Sequence, residues 1–406
     1  MDLTSGYPYS LVRNGLPFDY PKLTTDIKVD VAVIGGGISG ALTAYYLTQA
    51  GYACAVFDKR TIGLGSTVTS TSLLQYELDL PLSKLQHKIG KSQAIRAYQY
   101  CGDSVNTLAG IAAKLDFKHF SFRSSLYYAA SSKDIPLLHD ELRIRREAGF
   151  EIDYLERSDI RKQFGFDAPG ALLSGLAGQT DAYLLTHELH QYNLARGGRV
   201  YDRTNISDID HRQRSVRLKT ESGPVVNARY VVFANGYEAI NYIDEKILDL
   251  KSTYVAISEQ QEEKSRICDL KSVIWNTGDP YLYMRVTTDR RVLVGGRDED
   301  GYHPKKRDRL LVRKAGLLVS DFNKLFPDVP FKRELSWAGT FGSTDDSLPY
   351  IGAYPKRPNG LFALGYGGNG ITFSVIAAEL ITALIAGKKH RNMDLFSFDR
   401  KFTRNG

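Results

Sequence analysis

The sequence predicts a fold of the α/β plus α+β class, with two domains interleaved along the chain. Three observations predict it. Residues 29–58 read as a strand, a glycine-rich turn, a helix and a second strand, which is the pattern of a Rossmann-like domain. Residues 199–234 and 251–297 contain short strand patterns separated by polar turns. An apolar helix at residues 372–387 nearly closes the chain.

The two domains are expected to be discontinuous, because strand patterns occur both inside and outside the glycine-rich unit. The Rossmann-like domain is expected to comprise residues 1–110, 176–240 and 335–406. A second domain, built on a β-sheet, is expected to comprise residues 111–175 and 241–334.

The composition is that of a globular protein, with 43% hydrophobic and 24% charged residues. The net charge of +7 is scattered and has no aromatic-basic stripe, so no nucleic-acid partner is expected. Cys54, Cys101 and Cys268 lie far apart, which predicts neither disulfides nor zinc, and the histidines show no metal-ligand spacing. Because the first residues lack the pattern of a secretory signal, we expect a reducing, cytoplasmic location.

Residues 31–57 contain no charged side chain, and so long an interval resembles a membrane span. The interval is nevertheless broken by a glycine turn and by Gly51, and it carries Thr43, Thr48 and Gln49. A helix in lipid would not be interrupted in this way, so no membrane span is expected.

The first glycine turn, "GGGISG", fits the G-x-G-x-x-G pattern of a dinucleotide site. Gly35 allows a tight turn, Gly37 lets the backbone approach a pyrophosphate, and Gly40 lets helix pack on strand. The phosphates would meet free N–H groups at the positive end of the helix dipole. Asp58 ends the second strand, where a carboxylate can accept hydrogen bonds from a ribose 2′-hydroxyl and disfavours a 2′-phosphate. FAD and NAD both remain open at this point.

The second glycine turn, "GYGGNGIT", fits the same pattern at Gly365, Gly367 and Gly370. It cannot open a second dinucleotide unit, because no apolar strand ending in an acid follows its helix. It would instead supply a second helix N-terminus, which stabilises negative charge. A reduced flavin develops such charge at N1 and O2, so the second turn favours FAD over NAD.

Several motifs occur together along most of the chain: "VAVIGGGISG", "IGLGST", "VVFANGYE", "VLVGGRDED", "TDDSLPYIG", "GYGGNGIT" and the lead-in "GYPYSLVRNGLPFDYPKL". With these motifs the chain resembles the FAD-dependent D-amino-acid oxidase superfamily, in its amine-oxidising branch of glycine oxidase, sarcosine oxidase and γ-glutamylputrescine oxidoreductase. The resemblance implies bound FAD and a substrate domain beside it.

The resemblance also implies where FAD is contacted. Hydroxyl residues after Arg60 would lie along the flavin, with capping or turn chemistry as their alternative role. Ile206 would touch adenine, residues at the end of a strand would flank the diphosphate, and the second turn would border the pyrimidine ring. The residues predicted to bind FAD are Gly35, Gly37, Ile38, Ser39, Gly40, Asp58, Lys59, Arg60, Ser66, Thr67, Thr71, Ser72, Ile206, Ala234, Gly236, Gly367, Gly368, Asn369, Gly370, Ile371 and Thr372.

Three positions depart from relatives in this superfamily. Phe341 stands where glycine oxidase and D-amino-acid oxidase hold a substrate carboxylate with arginine, which disfavours an α-amino acid held in that way. Gly339 stands where monomeric sarcosine oxidase carries its flavin on cysteine, so FAD is expected to be non-covalent. Thr372 corresponds approximately to that oxidase's carboxylate-binding lysine.

The segment "DPYLYMRV" is the candidate wall of a substrate pocket. Tyr281, Tyr283 and Arg285 alternate with apolar residues and should share one face of a strand. This face could cover the flavin, with Arg285 gripping an anionic group and Phe341 forming an apolar wall. The alternative is that the tyrosines stack in the sheet and Arg285 pairs with a surface acid.

The function that these predictions favour is FAD-dependent oxidation of a small amine or amino acid derivative. The C–H bond beside nitrogen would pass a hydride equivalent to flavin N5, and water would hydrolyse the resulting imine. The electron acceptor, dioxygen or another carrier, is left open. The alternatives are an FAD-dependent 2-hydroxy-acid dehydrogenase, an FAD-binding subunit of an electron-transfer complex, and a tRNA-modifying flavoprotein, which the even charge distribution disfavours.

Overall fold

The computed structural model describes residues 1–400. Within them, strands β1 to β20 occupy Thr4–Gly6, Ile27–Lys28, Val31–Ile34, Cys54–Phe57, Leu73–Gln75, Ser121–Tyr128, Ile152–Glu156, Gly170–Gln179, Arg199–Tyr201, Ile206–His211, Val216–Thr220, Val225–Ala228, Tyr230–Phe233, Asp249–Gln260, Ser272–Asn276, Leu282–Val286, Arg291–Asp300, Arg333–Ser343, Tyr350–Ala353 and Gly360–Leu364. Helices α1 to α9 of the same residues occupy Tyr9–Asn14, Ile38–Gln49, Leu82–Ile89, Lys91–Lys114, Ile135–Glu147, Arg157–Phe164, Ala182–Leu194, Pro304–Leu325 and Gly370–Ile385.

The first sheet has six strands in the order β19-β20-β13-β3-β4-β9. All its pairings are parallel except that of β19 with β20. Its central strands β3 and β4 are buried along their whole length, as expected for a parallel sheet covered on both faces. The predicted strand, turn, helix and strand at residues 29–58 are β3, α2 and β4, and α2 packs against α7 and α9.

The second sheet has ten strands and includes β14, β15, β16, β17 and β18 side by side, in the order β18-β14-β17-β16-β15. Helix α8 packs against β14, β17 and β18. Its apolar side chains Ala315, Leu318 and Phe322 are fully buried with those of the sheet. A small sheet, β10-β11-β12-β2, completes the described architecture.

The mixed architecture predicted from the sequence is confirmed, including the interleaving of its two large sheets. The first sheet draws strands from four separate stretches of the chain. The second takes β5 to β8 and β14 to β18 from the stretches between them, and β1 from ahead of them. The exact domain limits stay a prediction. Strand β18 (Arg333–Ser343) lies in the second sheet, although a limit at residue 335 assigned most of it to the Rossmann-like domain.

The long uncharged interval at residues 31–57 is divided between β3, α2 and β4. Among residues 1–400, no helix combines the length and the apolar character that crossing a membrane requires.

Candidate active site

One cavity of about 700 Å³ lies where the two large sheets meet the two glycine turns. Its walls come from the ends of β3, β4, β13 and β20 in the first sheet and from β14 to β18 in the second. Ligands of open parallel sheets bind beyond the carboxyl ends of the strands, where this cavity lies. The topology therefore brings together turns that are more than three hundred residues apart.

Nearly all residues predicted to bind FAD line this cavity. Gly40 and Thr372 do not line the cavity, and each instead stabilises the conformation of one glycine turn. A Cβ atom at Gly40 would overlap the carbonyl oxygen of Gly35, so glycine is needed for the helix to pack there. The Thr372 hydroxyl is buried and donates to the carbonyl of Asn369 at 3.0 Å. The expectation that Thr372 borders a ligand is not met in the structure.

Two short polar side chains, those of Thr67 and Asp58, fix the backbone of the first turn. The Ile38 N–H donates to the Thr67 hydroxyl at 3.0 Å, which fixes the start of α2. Asp58 accepts from the N–H of Gly36 at 2.7 Å and of Arg60 at 2.8 Å. Burial raises the pKa of Asp58, while these N–H groups oppose the rise. A carboxylate has about four acceptor positions, so Asp58 keeps room for a ribose hydroxyl.

Glu238 is the centre of an ionic cluster beside Asp58 that sequence reasoning missed. Its carboxylate accepts from Lys59 at 2.8 Å, from Arg60 at 3.0 and 3.1 Å, and from the amino group of Met1 at 2.5 Å. Burial alone would raise the pKa of Glu238, but these donors lower it to about 2. The cluster holds Lys59 and Arg60 at the wall of the cavity. The motif "VVFANGYE" contains Glu238, but nothing in the motif marks its partners.

The second turn lies against a loop that follows β5. Asp79 in this loop accepts from the Gly368 N–H at 2.9 Å. A Cβ atom at Gly367 or Gly368 would run into the Asp79 carboxylate, so both glycines are needed for this approach. The Asn369 amide donates to the carbonyls of Gln75 at 3.1 Å and Glu77 at 2.9 Å. The start of α9 is therefore tied to the loop by three hydrogen bonds.

An Asn369→Ala variant is expected to lose about 1–2 kcal/mol of unfolding free energy, because two carbonyls lose their donor. FAD should also bind about tenfold more weakly, because the second turn is no longer fixed to its loop. Chemical denaturation and titration of apoprotein with FAD measure the two effects. Asn323→Ala is the matched control, since Asn323 is exposed on α8. Equal behaviour of both variants would contradict the role given to Asn369.

A buried ionic cluster packs against the same loop. The Arg145 guanidinium, which is fully buried, lies 2.7 Å from Glu141 and 3.4 Å from Glu77. Three aromatic rings surround it with centroids 5.8–5.9 Å away, those of Tyr76, Tyr98 and Tyr127. A buried charge needs such partners, and they fix the side chain of Glu77 at the wall of the cavity.

The residues of the predicted substrate wall divide between two cavities. Tyr281, Tyr283 and Phe341 line the cavity, but Arg285 does not. The Arg285 Nε donates to the carbonyl of Thr71 at 2.7 Å, and the side chain lines a separate, smaller cavity. Burial lowers the pKa of Arg285 to about 10. The expectation that Arg285 grips a substrate over the flavin is therefore not met in the structure.

Comparison with known protein families identifies the family of this chain. The model of the family described as FAD dependent oxidoreductase matches residues 30–384. This chain belongs to that family. It is an enzyme, and FAD is its cofactor, as the sequence predicted.

Curated relatives match along most of their length. The γ-glutamylputrescine oxidoreductase of Escherichia coli is 26% identical over 96% of this chain and 90% of its own. The glycine oxidase of Geobacillus kaustophilus is 24% identical over 91% of this chain and 96% of its own. The crystal structure of that glycine oxidase has a TM-score of 0.77 at 21% identity, covering 92% and 99% of the two chains. L-Proline dehydrogenase from P. horikoshii has a TM-score of 0.76 at 17% identity, covering 92% and 97%.

The residues of the cavity fit FAD. The two glycine turns present backbone without side chains to the cavity, and each begins a helix, α2 or α9. Gly339, which the resemblance matches to a flavin-bearing cysteine, lines the cavity and offers no nucleophile. Cys54 and Cys101 are buried elsewhere, and Cys268 does not line the cavity either. A non-covalent flavin remains the prediction.

Proposed function

We propose that this family member oxidises a C–N bond of a small amine or amino acid derivative. The observation that carries the proposal is the junction of the two glycine turns and an aromatic substrate wall in one cavity. The relatives support the choice of an amine, since they include a glycine oxidase and a γ-glutamylputrescine oxidoreductase. All three cysteines are unpaired, which is consistent with the reducing cytoplasm that we propose as its location.

The first turn, Asp58 and the Glu238 cluster would hold the dinucleotide part of FAD, and the second turn would hold the flavin ring. When bound, FAD supplies the acceptor for two electrons and a hydrogen from the C–H bond beside the amine nitrogen. The free N–H groups at the start of α9 would stabilise negative charge beside the ring.

The chain's own contribution to the chemistry is orientation and exclusion of water. Tyr281, Tyr283 and Phe341 form a largely aromatic wall that would press the substrate against the flavin. Burial raises the pKa of both tyrosines far above neutrality, so they present neutral hydroxyls. Water then enters to hydrolyse the imine product, and no residue pair acting as acid and base is required.

A 2-hydroxy-acid substrate is disfavoured by the position of Arg285. Such a site needs a cation to bind the substrate carboxylate and a base to take the hydroxyl proton. Arg285 was the residue expected to bind that carboxylate, but it lines a separate, smaller cavity and donates to the backbone carbonyl of Thr71.

The test is anaerobic incubation of the FAD-loaded protein with a panel of small amines, amino acids and 2-hydroxy acids while the flavin absorbance is recorded. Loss of the oxidised flavin bands with amines is the expected result. Reduction by 2-hydroxy acids alone would overturn the proposal. A yellow protein that no compound of the panel reduces would instead indicate an FAD-binding subunit of an electron-transfer complex.

A further inference from the structure

A row of aromatic side chains crosses the second sheet inside the cavity. Tyr127 on β6, Trp275 on β15 and Tyr283 on β16 are direct neighbours in register, so they share one face. All three line the cavity. Strands lie about 4.8 Å apart, so the row is about 10 Å long. The rings of Tyr127 and Trp275 stack with centroids 3.8 Å apart, and the Tyr281 ring lies 5.7 Å from that of Tyr283.

Polar atoms around this row lack a close hydrogen-bond partner in residues 1–400. Asp298 Oδ1 and Thr253 Oγ1 are shielded from solvent and lack a hydrogen bond of 3.5 Å or less in that part of the chain. The Thr253 hydroxyl is nevertheless close enough to the Asp298 carboxylate to oppose the rise in its pKa. Buried polar groups are normally satisfied, so these atoms indicate a polar ligand in the cavity.

A β-bulge turns Asp298 toward the cavity. The register between β14 and β17 shifts between Ser252 and Tyr254, so that β17 carries one residue more than β14 at this point. Arg297, one of the residues in this bulge, adopts a positive φ of 59°. Bulges re-aim side chains and are frequent beside active sites. Asp298 lines the cavity as a result.

The charges near Asp298 leave a local excess of negative charge. Asp79 and Asp298 both line the cavity, and neither has an ion-pair partner within residues 1–400. The nearby cations are already paired: Lys251 lies 3.2 Å from Asp300, and Lys314 lies 2.6 Å from Glu299. Burial raises the pKa of Asp298 to about 6, and the charge of Asp79 acts in the same direction, so Asp298 is still mostly ionised at neutral pH.

We propose that the substrate is a diamine or polyamine, whose second cation binds between Asp298, Asp79 and the rings of Tyr281 and Tyr283. The proposal rests on the proposed amine oxidation and names its substrate class. A carboxylate and an aromatic face are the two groups that bind an ammonium ion best in a partly dry site. The aromatic row suits an extended alkyl chain, because its length matches several methylene groups.

The same charges discriminate against carboxylate substrates. An amine bearing a carboxylate at the position of the second cation would face Asp298 and Asp79 with like charge. A simple monoamine would leave the two carboxylates without a counter-ion.

The reaction balances with FAD as the oxidant. The C–H bond beside the neutral primary amine breaks, and its hydrogen leaves with both electrons to FAD, which is reduced. The nitrogen loses one proton to water, which gives an imine. Water adds to the C=N bond, the C–N bond breaks, and the products are an aldehyde that keeps the distal ammonium group and one ammonia.

The test compares three compounds of one length that differ at the far end: 1,4-diaminobutane, n-butylamine and 4-aminobutanoate. We expect kcat/KM for the diamine to exceed that for butylamine about 30-fold, with 4-aminobutanoate slowest. The Asp298→Asn variant should lose this preference, mainly through a higher KM for the diamine. Asp249→Asn is the matched control, since it removes one carboxylate from β14 outside the cavity.

A binding measurement separates recognition from turnover. The dication 1,4-diguanidinobutane lacks a primary amine, and its binding to the FAD-loaded protein is followed by the flavin difference spectrum. Asp298→Asn should weaken this binding about 30-fold, with FAD content and melting temperature unchanged.

Equal or better rates with butylamine or 4-aminobutanoate would overturn the diamine proposal while leaving amine oxidation intact. So would a uniform loss with all three compounds in Asp298→Asn, or unchanged binding of the guanidine dication. If none of the three amines reduces the flavin but the dication still binds tightly through Asp298, the amine oxidation fails and the cation site stands.

Discussion

The Gly37→Val variant is expected to fold and to purify without FAD. The backbone at Gly37 is extended, with φ of −79°, so a valine can adopt it. Its Cβ would lie 2.7 Å from the Thr67 hydroxyl, which receives the first N–H of α2, and its methyl groups would extend toward the phosphate site. Loss of two charge-assisted hydrogen bonds to the phosphates costs about 3 kcal/mol or more, which is over ~100-fold in affinity.

The ratio of flavin to protein absorbance after purification measures this loss, and titration of the apoprotein gives the dissociation constant. Gly316→Val is the matched control, because Gly316 is exposed on α8 and a Cβ there meets no atom within 4 Å. Valine is a better helix former than glycine, so this control should keep its FAD and its stability. A Gly37→Val protein that retains FAD would show that the first turn does not bind the phosphates.

The first turn was predictable because its signals are local. Strand, glycine turn, helix and acid fall within residues 29–58, and each follows from its own sequence pattern. The second turn was predictable by a different argument, since no strand ending in an acid follows α9. Both predictions needed only residues that are close in the chain.

The contacts across the cavity could not be predicted in this way. Asp79 meets Gly368 across 289 positions, and Glu238 meets Lys59 across 179. Nothing in the sequence around Asp79 indicates that it contacts the second turn. The orientation of Asp298 depends on a bulge, and a bulge is set by the pairing of two strands, not by either sequence alone.

The position of Arg285 shows what strand alternation alone can predict. Tyr283 and Arg285 do share one face of β16, as alternation requires. Two residues along a strand span nearly 7 Å, and this distance places Arg285 in the neighbouring smaller cavity, from which its Nε donates to the backbone carbonyl of Thr71. Periodicity gives the side of a sheet, but the edge of a cavity is decided by the loops that pack on that side.

The Glu238→Gln variant is expected to lose about 3 kcal/mol of unfolding free energy at neutral pH. The Glu238 carboxylate is 5% exposed and has three cationic partners, and removing its charge leaves Lys59 and Arg60 facing each other without a counter-ion. The donors lower the pKa of Glu238 from the ordinary 4.5 to about 2, against the opposing effect of burial. A shift of this size corresponds to about 3 kcal/mol.

The pH dependence of the unfolding free energy tests whether Glu238 acts through its charge. A carboxylate whose pKa is lowered by folding contributes its full stability above pH 4.5, and the contribution disappears as the pH falls toward 2. Urea unfolding curves of the two proteins should therefore differ most at neutral pH and converge in acid. Glu245→Gln serves as the control, since Glu245 forms a half-exposed pair with Lys356 and its loss should change the stability much less at every pH. A constant difference between Glu238→Gln and the parent protein from pH 6 to pH 3 would mean that the side chain acts through packing and not through its charge. In that case Lys59 and Arg60 would be available to bind FAD directly instead of being held by Glu238.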